Sequence, residues 1–218
     1  MEILSSIEVR WFIGHDDPTA KAATQWFEGT PVEGSRENRY LVTGREDIAF
    51  KAPVEEGKPT KVETKYLLGS LRETQLHGAV VGDIERWRKL SLDLVDPTLE
   101  RDGIWARVSK ARRLRKYRYG DGIVSQISDV KNNRPDIGCG LELTELDYQI
   151  PFSHGSGERC QGRALTLGLE AFGPKHILID LLLRVCEVAF ASAPDSLCLA
   201  SKSSSSYPRW LDRVAGVP

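Results

Sequence analysis

The stretch SIEVRWFI, residues 6–13, alternates in side-chain character and is rich in β-branched and aromatic residues. This pattern predicts a β-strand. Because successive side chains of a strand point to opposite faces, Glu8 and Arg10 share one face, and Ile7, Val9 and Trp11 share the other. The strand therefore predicts a sheet with one apolar face and one charged face.

The same kind of pattern continues through most of the chain. Seven further strands are predicted, at residues 39–43, 47–51, 61–67, 104–119, 123–130, 139–148 and 163–171. A hairpin turn is predicted at 119–122, and a flexible serine-rich loop at 201–206. Helices are predicted after Asp17-Pro18 and over 82–92, 173–191 and 207–214.

Strands outnumber helices in this prediction, and the helices occur singly between them. We therefore expect one α+β, mainly β domain over residues 1–218. The expected architecture is an antiparallel barrel or tunnel of about eight strands with a few helices packed outside. The apolar strand faces match the amphipathic helices, which need a sheet to cover.

Bulk composition excludes several classes of protein. The formal net charge is -1, which argues against a polycation that binds nucleic acid. The four cysteines lack zinc-type spacing, and no secretory leader is visible, so we expect reduced thiols and a cytoplasmic location. The most apolar stretch, 177–190, carries three charges and is too short to span a bilayer. Nucleotide-binding glycine loops and hydrolase elbows are also absent from the sequence.

Mixed charges recur on one face of strand after strand. These residues are Glu8, Arg10, Lys51, Glu63, Lys65, Lys110, Arg112, Glu142 and Glu170. Two arrangements are open: charged faces toward solvent around an ordinary apolar core, or charged faces lining a barrel lumen covered outside by helices. Buried cations are costly without partners, so a lumen of this kind favours a small anionic or phosphorylated ligand.

The segment 107–118 carries seven basic residues and no acidic one. Three interpretations are open at this point. It can be a solvated edge strand that resists aggregation, a lining for a phosphate ligand, or a phosphate-contacting stripe for nucleic acid between aromatic side chains.

Several short motifs, in order, resemble those of the triphosphate tunnel metalloenzymes, the CYTH superfamily. The E-x-E-x-K signature of that family corresponds to Ser6-Ile-Glu8-Val-Arg10, and its K-x-R strand to Lys110-Ala-Arg112 before a hairpin. Glu170 ends a strand before a long helix, and Ser206-Tyr207 precedes a short one. The chain is also similar to a group of bacterial proteins that share the strings SIEVRWF and TLGLEAFG.

The resemblance implies a divalent-metal-dependent hydrolase of a triphosphate or short polyphosphate. In that reading phosphate oxygens are bound by Arg10, Lys51, Lys65, Lys110 and Arg112. Mg²⁺ or Mn²⁺ is held by Glu8, Glu63, Glu142 and Glu170. Ser6 replaces the first glutamate of the signature, which leaves open a barrel that binds an anionic ligand without turnover. A structural or partner-binding protein with solvent-facing charges is the third alternative.

Overall fold

The computed structural model describes residues 2–53, 61–93, 103–128, 135–151 and 159–217. The strands in these residues are β1 Glu2–Gly14, β2 Val32–Val42, β3 Ile48–Pro53, β4 Lys61–His77, β5 Val80–Asp93, β6 Ile104–Gly120, β7 Ile123–Ile127, β8 Gly138–Pro151 and β9 Arg159–Phe172. The helices are α1 Pro18–Trp26, α2 Leu178–Phe190 and α3 Tyr207–Ala215. The last two residues of the predicted strand over 123–130 lie outside the described residues.

The strands form one antiparallel sheet that closes on itself. Their order is β2-β3-β4-β5-β1-β9-β8-β6, and β6 pairs back with β2 to complete a barrel of eight strands. The short strand β7 extends from β6 through a tight turn in which Asp121 and Gly122 both have positive φ. The predicted mainly β, antiparallel barrel with helices outside is confirmed, and so is the predicted hairpin.

The outer face of the barrel carries the larger apolar core. The odd residues of β1, from Ile7 to Ile13, are buried there against α2 and against Leu167 and Leu169 of β9. Each leucine buried completely in this way contributes about 1.5–3 kcal/mol. Helix α1 packs beside them and begins at the N-cap Asp17, whose carboxylate accepts a hydrogen bond from Thr19 N at 2.8 Å.

Helix α3 lies across one end of the barrel. Trp210 stacks on Phe12, with ring centroids 4.5 Å apart, and Tyr207 stacks on Tyr40 at 5.1 Å. Phe12 shares the inward face of β1 with Glu8 and Arg10, so the helix contacts residues that face the lumen. The aromatic side chains of α3 therefore close this end of the barrel.

The predicted helix over 82–92 is wrong, because these residues belong to strand β5. β5 is hydrogen-bonded on both sides, to β4 and to β1. Ile84 faces the outer core, whereas Trp87 lies on the opposite face beside Glu85. The helical spacing of the apolar residues was a coincidence of two strand faces, and pairing with both neighbours overrides it.

The predicted flexible loop over 201–206 is also wrong. A short 3-10 turn, Ser201–Ser203, leads into three buried serines. The Ser204 hydroxyl accepts a hydrogen bond from Asp83 N at 2.8 Å and donates one to Arg10 O at 3.2 Å. Small side chains let this segment lie directly against β1, so it anchors α3 to the barrel. In the described part of the chain, no helix is both long and apolar enough to cross a membrane.

Candidate functional site: the charged tunnel

The inward faces of the strands enclose a cavity of about 760 Å³. Its wall includes every residue predicted from sequence as a phosphate or metal ligand: Glu8, Arg10, Lys51, Glu63, Lys65, Lys110, Arg112, Glu142 and Glu170. A second cavity of about 1230 Å³ shares Arg10, Arg112 and Glu142 with the first and extends toward the end opposite α3. The two cavities form one tunnel, closed by aromatic side chains at one end.

Glu142 is held between two guanidinium groups. Its Oε1 accepts hydrogen bonds from Arg10 Nη1 at 3.2 Å and from Thr144 Oγ1 at 2.9 Å, and its Oε2 accepts one from Arg112 at 3.3 Å. Burial opposes the ionisation of this carboxylate, but Arg10, Arg112 and Lys110 outweigh burial and lower its pKa to about 2. Glu142 is therefore an anion that organises the cations around it.

Gly168 makes room for Arg10 on the neighbouring strand. The two residues are paired in the β1–β9 register, and a Cβ at position 168 would lie 2.8 Å from Arg10 Cζ. That distance is too short for a side chain without displacing the guanidinium. The glycine lets Arg10 lie flat against the wall, where its Nη1 also donates to Thr166 Oγ1 at 3.0 Å.

A second ion cluster lies on β3, β4 and β5. Lys51 contacts Glu63 at 2.8 Å, and Lys89 contacts the other carboxylate oxygen of Glu63 at 2.6 Å. Burial opposes ionisation, yet the two ammonium groups lower the pKa of Glu63 to about 2. Burial also lowers the pKa of Lys51, despite the attraction of Glu63.

Three glutamates form a row across adjacent strands. In the sheet register Glu8 lies directly opposite Glu170 of β9 and Glu85 of β5. Lys65 contacts Glu8 at 3.1 Å. Burial and the charge of Glu8 raise the pKa of Glu85 to about 7, although Trp87 Nε1 donates a hydrogen bond to it at 3.0 Å.

Lys110 lies beside the aromatic residues that close the tunnel. Its Nζ donates to Tyr40 Oη at 2.6 Å and lies 3.8 Å from the centroid of the Tyr207 ring. Within the described residues no carboxylate forms an ion pair with it. Burial, together with the nearby cations Arg10 and Lys51, holds the pKa of Lys110 well below its usual value, and Glu142 offsets only part of this.

The four predicted metal ligands do not converge on one point. Glu63 and Glu142 belong to separate clusters, and each is occupied by two cations. Across the described ranges, no three or more His, Cys, Asp or Glu side chains are placed to hold one metal ion. Glu8, Glu63 and Glu142 form ion pairs with Lys and Arg, and the Mg²⁺ or Mn²⁺ site stays a prediction.

The basic segment 107–118 divides between the two faces of β6. Lys110 and Arg112 face the tunnel, whereas Arg113 and Arg115 lie outside and donate hydrogen bonds to Thr30 and to the carbonyl of Trp26. β6 is paired with both β2 and β8, so the edge-strand interpretation is wrong. Because alternate residues point in opposite directions, the basic side chains of the segment divide between the inner and the outer face of the barrel.

The tunnel wall also includes residues that sequence reasoning missed, among them Glu33, Tyr40, Glu85, Lys89 and Tyr207. Glu85 and Lys89 were lost because β5 was predicted to be a helix. The signal was present, since Asp83, Glu85 and Lys89 all lie an even number of residues apart. Tyr40 and Tyr207 become visible only when α3 is known to close the barrel.

The fold and the site define a closed antiparallel barrel of eight strands with a charged tunnel, an architecture compatible with a CYTH-like tunnel. Comparison with protein-family models found no matching family, and comparison with curated proteins found no similar sequence.

Proposed function

We propose that this protein binds a small polyanion of the tripolyphosphate type inside its tunnel, without turnover. One observation carries the proposal: all nine charged residues singled out in the sequence line a single cavity of about 760 Å³. Apolar side chains would fill such a space at a lower desolvation cost, since replacing buried ion pairs by packed hydrophobic residues is often neutral or stabilising. A charged, unfilled lumen is better explained by a ligand that enters it.

The donors in the tunnel suit phosphate oxygens. Arg10 and Arg112 present guanidinium groups on neighbouring sides of Glu142, and guanidinium forks match phosphate geometry. Lys110 adds an amino group that, among the described residues, is held by Tyr40 rather than by a carboxylate. An entering anion can replace Glu142 as the partner of the arginines and contact Lys110 at the same time.

Binding is favoured over hydrolysis by the state of the carboxylates. The resemblance to the triphosphate tunnel family implies glutamates that are available to a metal, but Ser6 stands where its first signature glutamate is expected. Glu63 and Glu142 are held by lysines and arginines. We therefore expect an anion-binding barrel that has the cationic lumen of a triphosphate tunnel and lacks its metal-dependent chemistry.

Calorimetry with tripolyphosphate tests the proposal, first with a chelator and then with Mg²⁺ or Mn²⁺. Heat of binding is expected under all three conditions, with affinity little changed by the chelator. Arg112→Met is expected to weaken binding by about 1.5–3 kcal/mol, the range for a lost hydrogen bond to a charged group. Arg163→Met, an exposed change on β9, is the matched control and should bind as the wild type does.

A parallel assay measures phosphate release from tripolyphosphate with each metal. Absence of binding heat under every condition would remove the proposal. Binding accompanied by metal-dependent phosphate release would replace it with the hydrolase alternative.

A further inference from the structure

Lys110 differs from the other lysines of the tunnel in its partners. Lys51 and Lys89 share Glu63, and Lys65 pairs with Glu8, so each of these ammonium groups has a carboxylate within 3.1 Å. Lys110 contacts only a phenol and two aromatic rings in the part of the chain that the structure describes. Its amino group is therefore the least stabilised in the charged form.

Most of the charged groups nearest to Lys110 add to this effect, and one opposes it. β1, β3 and β4 bring the cations Arg10, Lys51 and Lys65, and β8 brings the opposing anion Glu142. The neutral side chains Tyr40 and Tyr207 come from β2 and α3. A lysine that is desolvated and close to other cations is the setting in which the neutral, nucleophilic form of an amine is favoured.

Tyr40 supplies the second group that amine chemistry needs. Its oxygen lies 2.6 Å from Lys110 Nζ. Burial raises the pKa of the Tyr40 hydroxyl well above its usual value, so it keeps its proton. A neutral phenol beside a neutral amine can give a proton to an oxygen atom that develops charge and recover one from nitrogen.

We propose that Lys110 is an amine nucleophile that forms an imine with a small anionic aldehyde held in the tunnel. The inference rests on the proposed function for the anionic part of the ligand. Arg10 and Arg112 line the same cavity as Lys110, so a phosphate or carboxylate bound there places an attached aldehyde near Nζ. The ligand class is therefore an aldehyde that carries a phosphate or a carboxylate.

The atoms of the reaction balance without an added oxidant or metal. The Nζ lone pair forms a bond to the aldehyde carbon, and the carbonyl oxygen takes the proton of Tyr40 to give a carbinolamine. The tyrosinate recovers a proton from Nζ. A second proton transfer through Tyr40 lets the hydroxyl leave as water, and the C=N bond is complete.

Trapping with pyridoxal 5'-phosphate and borohydride tests the proposal at pH 7. The full-length protein is digested after reduction, and each lysine is followed by mass spectrometry. Lys110 is expected to be labelled at least about ten-fold faster than the exposed Lys21 of α1, because an ordinary lysine is almost entirely protonated at this pH. Tripolyphosphate is expected to suppress the label on Lys110 and to leave Lys21 unchanged.

Two variants separate the nucleophile from its proton donor. In Lys110→Met, the adduct at position 110 should be absent. In Tyr40→Phe, Lys110 should still be labelled, but about a hundred-fold more slowly, which is the lower end of the range for loss of a general acid. Lys21→Met is the control and should label at Lys110 as the wild type does. Labelling of Lys110 no faster than Lys21 in the wild-type protein overturns the proposal without any variant.

The outcome also distinguishes this inference from the function on which it rests. If calorimetry shows tripolyphosphate binding while Lys110 stays unlabelled, the imine is overturned and the anion site stands. If pyridoxal without phosphate labels Lys110 as fast as its phosphate ester does, and tripolyphosphate has no effect, the reactive amine stands and selection by the anion is overturned.

Discussion

The two faces of β6 carry similar basic side chains in different settings. Outside, Arg115 donates to the carbonyl of Trp26 and to the Thr30 hydroxyl at the end of α1, and it also lies over the Phe27 ring. Inside, Arg112 meets the carboxylates Glu33 and Glu142. Backbone acceptors cannot be exchanged without unfolding, whereas carboxylate partners can be replaced by a ligand. We infer that the identity of the acceptor, rather than the basic residue itself, separates a structural cation from one that a ligand can recruit.

The largest effect is expected at Glu142, which holds two arginines inside the barrel. Glu142→Gln leaves both guanidinium groups without their shared anion and should lower the free energy of unfolding by about 3–5 kcal/mol. Urea unfolding with and without tripolyphosphate measures this, and the polyanion should restore part of the loss.

The matched control is Glu145→Gln on the outer face of the same strand, where the carboxylate is 3.9 Å from Arg113 and half exposed. Glu145→Gln should change the free energy of unfolding by no more than about 0.5 kcal/mol. Equal effects at the two positions would contradict the difference between the faces.

The next effect separates stability from binding within β6 itself. Arg115→Met removes hydrogen bonds to Trp26 and Thr30 and should cost about 1.5–3 kcal/mol of stability, with tripolyphosphate affinity unchanged. Arg112→Met should weaken tripolyphosphate binding by a similar amount. Thermal melts measure the stability of both variants, and calorimetry measures their affinity for tripolyphosphate. A loss of affinity in Arg115→Met would show that the outer arginines are coupled to the tunnel.

The alternation of side chains between the two strand faces could be predicted from the sequence, whereas the contacts between distant strands could not. Alternation alone placed Glu8 and Arg10 on one face of β1, and Lys110 and Arg112 on one face of β6, because the strand period is fixed by the backbone. It could not pair Arg10 with Glu142, which lies 132 residues away, because the register depends on strand order. β5 failed for a related reason: a short segment with apolar residues on both faces fits a helix until its two neighbours are known. The closed end of the tunnel was missed because it depends on the packing of α3.

A pH dependence of intermediate size is expected from the carboxylates of the tunnel. Glu63 and Glu142 have pKa values lowered to about 2, so their contribution to stability is complete above the ordinary glutamate pKa of about 4.3 and is lost as pH falls toward 2. Glu85 acts in the opposite sense. Its pKa is raised to about 7 in the folded protein. Its contribution to the free energy of unfolding is therefore complete below the glutamate pKa of the unfolded chain and is lost as pH rises through 7. The free energy of unfolding should therefore peak at about pH 5.

Glu85→Gln isolates the second of these contributions. The new amide keeps an oxygen that can accept the hydrogen bond from Trp87, and the substitution removes the charge beside Glu8. In the variant, the free energy of unfolding should no longer decline between about pH 5 and 8. At the upper end of that range it should exceed the wild-type value by about 1–3 kcal/mol. Urea titrations at several pH values measure this. An unchanged decline in the variant would mean that Glu85 is ionised in the folded protein at an ordinary pKa.

The smallest effect on stability is expected at Lys110. Lys110→Met keeps the length of the side chain, fills the space between Tyr40 and Tyr207, and removes a group that is close to Arg10, Lys51 and Lys65. The free energy of unfolding should change by less than about 0.5 kcal/mol or rise slightly, since the mutation removes a desolvated polar amine and leaves no charged partner unpaired. Tripolyphosphate should nevertheless bind about 1–3 kcal/mol more weakly, because the anion loses a donor at the closed end.

Glu63→Ala is the counterpart, because it leaves Lys51 and Lys89 without their shared anion and should lower the free energy of unfolding. Melts of both variants with and without tripolyphosphate measure the contrast, and equal, negligible shifts with unchanged protection by the ligand would remove the case for an anion site in the tunnel.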